Sequence, residues 1–131
     1  MQLSGTVRDA RLDAIESTIG TSAQLKVFSG ALPANCAAAD PSGLLASFAL
    51  PSDWMAAASG GTKAKSGTWQ VTASGGSATA PACYRIYNSA GSVCHIQGSA
   101  GVGSGEMSFD GSFTTGQTVT VTGFTLTEAN G

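Results

Sequence analysis

A chain of 131 residues fits one domain and can bury roughly two-thirds of the surface its unfolded form exposes, so a core is feasible without metals or disulfides. Charged residues are only 11% of the chain and the net charge is −2, which excludes both a disordered segment and the basic footprint of a nucleic-acid binder. No apolar run approaches the ~20 residues of a membrane span, and Met1-Gln2-Leu3-Ser4-Gly5 lacks the basic-then-apolar layout of a signal peptide. Cytoplasmic synthesis and folding are the default expectation. So little charge gives a monomer poor protection against association, and favours a surface partly buried in an assembly.

In chain order, Thr6 to Ile19 reads as the only substantial helix. Thr6 and Asp9 form a capping-box-like start and Gly20 a natural stop. Leu12, Ile15 and Ile19 follow a 3,4 spacing and share one stripe. With Leu12 and Ile19 at position a and Ile15 at d, Arg11 falls at g and Glu16 at e, the spacing of an ion pair between parallel helices. The stripe therefore serves either an interchain seam or packing on the chain's own domain. On this reading residues 1–22 form a helix for docking or oligomerisation, and residues 23–131 a β-sandwich domain.

From residue 23 the period changes. Strand-like runs cover Leu25 to Phe28, Leu44 to Leu50, Thr68 to Ala73, Cys83 to Tyr87, Val93 to Gln97, Glu106 to Phe109 and Thr118 to Thr127. In the last run Gly123 shifts the apolar phase once, which suggests a bulge. Turn signals separate the runs, and Gly98 through Gly105 reads as a loop. Asp53 to Ala58 reads as a helical turn carrying Trp54, capped by Ser52 or Asp53. The expected fold is mainly β: an antiparallel, jelly-roll-like β-sandwich of six to eight strands with one short N-terminal helix. Trp54 and Trp69 are the expected anchors, of the core or of a subunit contact.

Few residues offer chemistry. His95 is the single histidine, in the alternating run Val93-Cys94-His95-Ile96-Gln97. Alternation puts Cys94 and Ile96 on one face and His95 on the other, against a Cys-His dyad. Asp40 precedes Pro41 and Asp110 precedes Gly111, so both read as turn residues. Lys63 and Lys65 read as a solvated loop. Cys36, Cys83 and Cys94 have no metal-site spacing and read as small, reduced, buried hydrophobes. The expectation is a non-enzymatic protein with no catalytic residues, no cofactor and no metal.

Several segments carry a resemblance: Arg8 to Glu16, Pro33 to Asp40, Leu50 to Ala58, Ser66 to Trp69, Cys94 to Gly98 and Phe124 to Thr127. In these the chain resembles a family of small, mostly unassigned structural proteins of tailed bacteriophages and prophages. The resemblance implies a virion component assembled in the host cytoplasm, with itself and other virion proteins as partners and a trimer as the expected oligomer. A tail-fibre or tail-appendage subunit is the first role, and a capsid decoration (cement) protein the second. A carbohydrate-binding module or small hydrolase acting on a host-surface glycan stands outside both.

Overall fold

The computed structural model describes residues 1–128. Helix α1 spans Gly5–Ile19 and is capped by Ser4, not by Thr6 as the box pattern suggests. Ser4 has extended backbone and its Oγ accepts the Val7 N–H at 3.3 Å, satisfying one of the donors a helix start leaves open. Thr6 lies inside the first turn. Gly20 stops the helix as expected: its φ is +94° and its amide reaches the Glu16 carbonyl at 2.8 Å.

Eight strands follow: β1 (Gln24–Phe28), β2 (Leu44–Ala49), β3 (Thr62–Ala64), β4 (Gln70–Thr72), β5 (Cys83–Tyr87), β6 (Cys94–Val102), β7 (Met107–Phe109) and β8 (Thr118–Thr127). The mainly-β class with one N-terminal helix is therefore the observed one. The strands hydrogen-bond as one open sheet in the order β2-β1-β5-β6-β7-β8-β3, with β4 also on β8. All pairs are antiparallel except β6 with β7.

Bulges curl the sheet. Leu45 is an extra residue opposite the step from Val27 to Phe28, which puts both Leu45 and Ala46 inside. The Leu45 carbonyl accepts the amides of Ser74 and Gly75, just past β4, at 2.9 and 3.2 Å. A bulge bends and twists its strand, so this one brings the β2 edge towards β4. On β8 the register slips at Thr122, next to the Gly123 at which the sequence shifts phase.

Three segments depart from the sequence reading. Gly98 to Val102 continues β6, and only the next few residues turn back to start β7 in parallel. That reversal is so tight that a Cβ on Gly105, at φ +85°, would lie 3.0 Å from the Ala100 carbonyl carbon. Asp53 to Ala58 is not helical. Met55 bridges to Lys65, and the amides of Met55, Ala56 and Ala58 donate outside the segment, to Glu16, the Ala64 carbonyl and Asp13, rather than along a helical turn. Finally, β3 carries a lysine at its inward position, a pattern hydrophobic alternation does not register.

The core lies inside the curl and holds Leu25, Val27, Leu45, Ile86, Met107, Phe109, Phe113, Val119 and Val121 among others. Trp54 and Trp69 are both wholly buried, with ring centroids 6.2 Å apart, and Trp69 meets Phe124 at 5.6 Å. Each indole N–H finds a carbonyl: Trp54 the Gly20 oxygen at 2.9 Å, Trp69 the Ser66 oxygen at 3.0 Å. Both anchors are thus spent on the chain's own core.

Candidate functional site

Two buried cations organise the molecule. The first is Lys63, 2% exposed, which fastens α1 to the sheet. Its Nζ donates to Asp13 Oδ1 at 2.7 Å, Glu16 Oε2 at 2.8 Å and the Ala56 carbonyl at 2.9 Å. Asp9, Asp13 and Glu16 are spaced four and three apart and so share one helix face. All three turn to the same segment, because Asp9 accepts the Gly61 amide at 2.7 Å. Gly61, at φ +80°, adopts a backbone conformation that strains any other residue, and a Cβ there would also displace the Arg8 guanidinium. The hydrogen bond from Lys63, with that from the Ala58 amide, holds the Asp13 carboxyl below its usual 3.8. Burial acts to lower the Lys63 pKa, but bonds to Asp13 and Glu16 outweigh it and the value rises above 10.5. A concavity of about 620 Å³ opens beside these groups, bordered by Ser17, Ser52, Asp53 and Met55.

The second cation is Arg85 on β5, 1% exposed, which holds down the connection from β1 to β2. Nη1 donates to Asp40 Oδ1 at 2.7 Å, and Nη2 to the carbonyls of Asn35, Cys36 and Ala38 at 3.2, 2.9 and 3.0 Å. Asp40 also accepts Lys26 Nζ at 3.2 Å and the Tyr87 hydroxyl. Register explains the convergence. Lys26, Arg85 and Gln97 are cross-strand partners, as are Tyr87 and Cys94, and such partners share a face. Gln97 Nε2 adds a bond to the Pro33 carbonyl at 2.7 Å. Burial would raise the Asp40 pKa, yet the bonds from Tyr87, Arg85 and Lys26 bring it below 3.8. Burial, then the Asp40 hydrogen bond, keep the Tyr87 phenol protonated far above its ordinary range.

A bulge sets the cysteine geometry on this face. Ile86 pairs with Ile96 but Tyr87 pairs with Cys94, so His95 is an extra residue and the alternation breaks there. Cys94 and Ile96 therefore lie on opposite faces, contrary to simple alternation. Ile96 packs on the core, while Cys94 joins Cys36, Ala37, Asp40, Arg85 and Tyr87 around a concavity of about 590 Å³. Burial, followed by the nearby Cys36 thiol, pushes the Cys94 thiol up to about 12. Of the three cysteines only Cys83 is fully buried.

The residues assigned to a helix seam have partners inside the chain. Leu12 and Ile19 are buried and Ile15 is half-buried against the core. Arg11 pairs with Glu128 at 2.8 Å and Glu16 with Lys63, so both members of the expected interchain ion pair are engaged here. Residues 1–22 are stitched to the sheet rather than standing apart from it. The outward face of α1 is a neighbouring stripe, Val7, Arg11, Ala14 and Thr18, all exposed. Beside it a shallow groove of about 280 Å³ runs between α1 and exposed His95. Sequence reasoning missed Lys63, Asp40 and Arg85. The 4,3 spacing of Asp9, Asp13 and Glu16 was the one signal available, since three acids on one helix face can converge on a cation from the body of the domain.

Among the described residues no group of three or more His, Cys, Asp or Glu side chains is placed to hold a metal ion, and no helix is long and apolar enough to cross a membrane. No protein-family model matches the chain, and no curated protein or solved structure matches it.

These pKa directions set an acid limit. The stability that Asp13 and Asp40 contribute is complete above their unfolded value near 3.8 and is lost as pH falls through their lower folded values. Denaturation midpoints are expected to stay level down to about pH 4 and to fall below it. In Asp40→Asn the acid decline should be shallower, with a lower plateau at neutral pH. A wild-type decline that begins near pH 6 would contradict this assignment.

Proposed function

We propose that the chain is a non-enzymatic structural subunit of a tailed-phage virion, a tail-fibre or tail-appendage component that assembles as an oligomer. The observation that carries this reading is where the charge goes. Lys63, Arg85, Asp13, Glu16, Asp40, Lys26, Arg11 and Glu128 are all committed to ion pairs within the chain, in service of fastening a helix and a long loop to the sheet. Much of the outer surface is Ser, Thr, Gly and Ala with few unpaired charges such as Asp53, Glu106 and Asp110, and Val7, Leu32, Leu44, Val93 and Val102 are each nearly half exposed. A stitched-down body with a weakly charged, partly apolar exterior suits burial against neighbouring subunits. The likeness to small phage structural proteins, noted from Arg8 to Glu16 and from Leu50 to Ala58, points the same way and is the source of the trimer expectation.

In this reading α1 docks through its outward stripe, since Leu12 and Ile19 are already occupied. Small residues at Ala14 and Thr18 permit close approach of a second helix, with Arg11 and His95 at the rim. Light scattering on purified protein is expected to report an oligomer, and Ala14→Glu to dissociate it while leaving the monomer's unfolding free energy within about 0.5 kcal/mol, as for other surface substitutions. A wild-type monomer at high concentration would refute the oligomer. Chain stoichiometry in purified particles tests the role itself. A low count per particle fits a tail appendage, a count matching the major capsid protein fits capsid decoration, and absence from the particle overturns the virion reading.

A further inference from the structure

We infer that strand β2 pairs edge to edge with β2 of a second copy, joining two sheets into one across a two-fold axis. This rests on the hydrogen-bonding register of the sheet and is independent of the virion reading and of the α1 stripe. In the antiparallel pairing of β1 with β2, Gln24 opposes Ala49 and Lys26 opposes Ser47. The Leu50 amide donates to the Ala23 carbonyl at 2.8 Å, which fixes the phase. Bonded and non-bonded pairs alternate, so Ala46, Phe48 and Leu50 turn their backbone groups towards β1. Leu45, Ser47 and Ala49 turn theirs to the outer edge. Leu45 is engaged there, its carbonyl accepting the Ser74 and Gly75 amides. Ser47 and Ala49 are exposed, and among the described residues no backbone group pairs with theirs along that edge.

A sheet edge is normally guarded by a lysine, a proline, an inward charge, a bulge or a covering loop. On β2 the bulge at Leu45 and the Ser74–Gly75 cover guard only the first part of the strand. From Gly43 to Leu50 the chain carries no charge and no proline, and inward-facing Phe48 is only half-buried against the core. The open part supplies its own complement. A two-fold axis through Phe48 sets Ser47 against Ala49 of the second copy, and Ala49 against its Ser47. Each such pair exchanges two N–H···O=C bonds, and the two Phe48 side chains meet as a cross-strand pair. Charge does not oppose the contact. Across the outer face the row runs Lys26, Ser47, then Ala49 and Gln24 of the second copy, so no like charges adjoin. So short a strand buries well under the ~1,600 Å² of a standard interface, and pairing is therefore expected only at high protein concentration.

The test follows amide exchange of the full chain, residue by residue by NMR, from dilute to concentrated solution. Exchange at Ser47 and Ala49 is expected to slow at least ~10-fold with concentration, since pairing takes these amides out of water. Ser47→Pro removes a donor that the chain itself does not use, a change an edge strand tolerates, and should abolish the slowing at Ala49. Ser47→Lys keeps the backbone donor and sets two like charges diagonally across the axis, so it should abolish the slowing even if the proline variant fails to fold. Ala14→Glu, aimed at the α1 stripe, should leave it intact, which tells loss of one contact from loss of the other. Rates at Ser47 and Ala49 that stay fast at every concentration would overturn the proposal. So would slow exchange already present in dilute solution, which would place the cover within the chain, or slowing that needs a different protein to be added.

Discussion

Arg85→Met is expected to lower the unfolding free energy by about 3–5 kcal/mol, in the range for breaking a buried charged pair from one side. Methionine fills much of the same volume, so packing is not what is lost. Asp40 loses its closest cation, and the carbonyls of Asn35, Cys36 and Ala38 lose the one donor they share. An acceptor stranded without a donor costs about 1–3 kcal/mol wherever water cannot replace it. Lysine is no substitute, because one ammonium cannot span the positions that a planar guanidinium reaches with two nitrogens. Lys26→Met is the control. Lys26 contacts the same Asp40 at 3.2 Å and lies over the Tyr87 ring but keeps a quarter of its side chain exposed, and its loss should cost about 1 kcal/mol. Urea denaturation gives both numbers. Amide exchange across residues 31–42 should accelerate in Arg85→Met before global unfolding does. Equal costs for the two variants would show that the loop is held by something other than the guanidinium.

The strands were legible because they obey local rules. Cys83–Tyr87 and Thr118–Thr127 are bounded as the sequence suggests, and the phase shift at Gly123 does mark a bulge, at the adjacent Thr122. The chain's charged framework was not legible, for a physical reason. Alternation and helical periodicity score apolar residues, whereas β3 presents Lys63 inward and β5 buries Arg85 on its other face, beneath the β1–β2 connection. A buried cation is acceptable only where carboxylates and carbonyls converge on it, and those come from residues far along the chain: Asp13 and Glu16 for Lys63, Asp40 and the 35–38 carbonyls for Arg85. Asp40 looked like a turn residue because it precedes Pro41. The facing of Cys94 was hidden in the same way, since the bulge at His95 separates it from the face of Ile96 that alternation assigns to it. The helix stripe was read correctly as a stripe. Its partner, the chain's own sheet, depended on the acidic face one row over, which pulls α1 down through Lys63.

The second large effect is expected at the tryptophan pair. Trp69→Ala should cost about 3–5 kcal/mol, the usual range for emptying a large buried aromatic site. Trp69 stands just before β4 with no exposed surface, its ring between Trp54 and Phe124. Its loss would also strand the Ser66 carbonyl, at the excursion that lets residues 62–72 follow β8 on both sides of Gly67. Trp54→Ala should cost a similar amount for a different reason. Its indole N–H caps the Gly20 carbonyl at 2.9 Å, so that ring ties the end of α1 to the core. Because the two rings touch at 6.2 Å, the variants should not be independent. The double variant is expected to fall short of the summed single costs by about 0.5–1.5 kcal/mol, the worth of an aromatic pair beyond its buried area. Each single variant leaves one tryptophan, so fluorescence-detected denaturation reports the remaining site directly. Strict additivity, within about 0.3 kcal/mol, would mean that α1 and the β3–β4 edge are anchored separately. A shortfall in the expected range would mean that the helix end and the β8 edge share one aromatic fastening, and that loosening either loosens both.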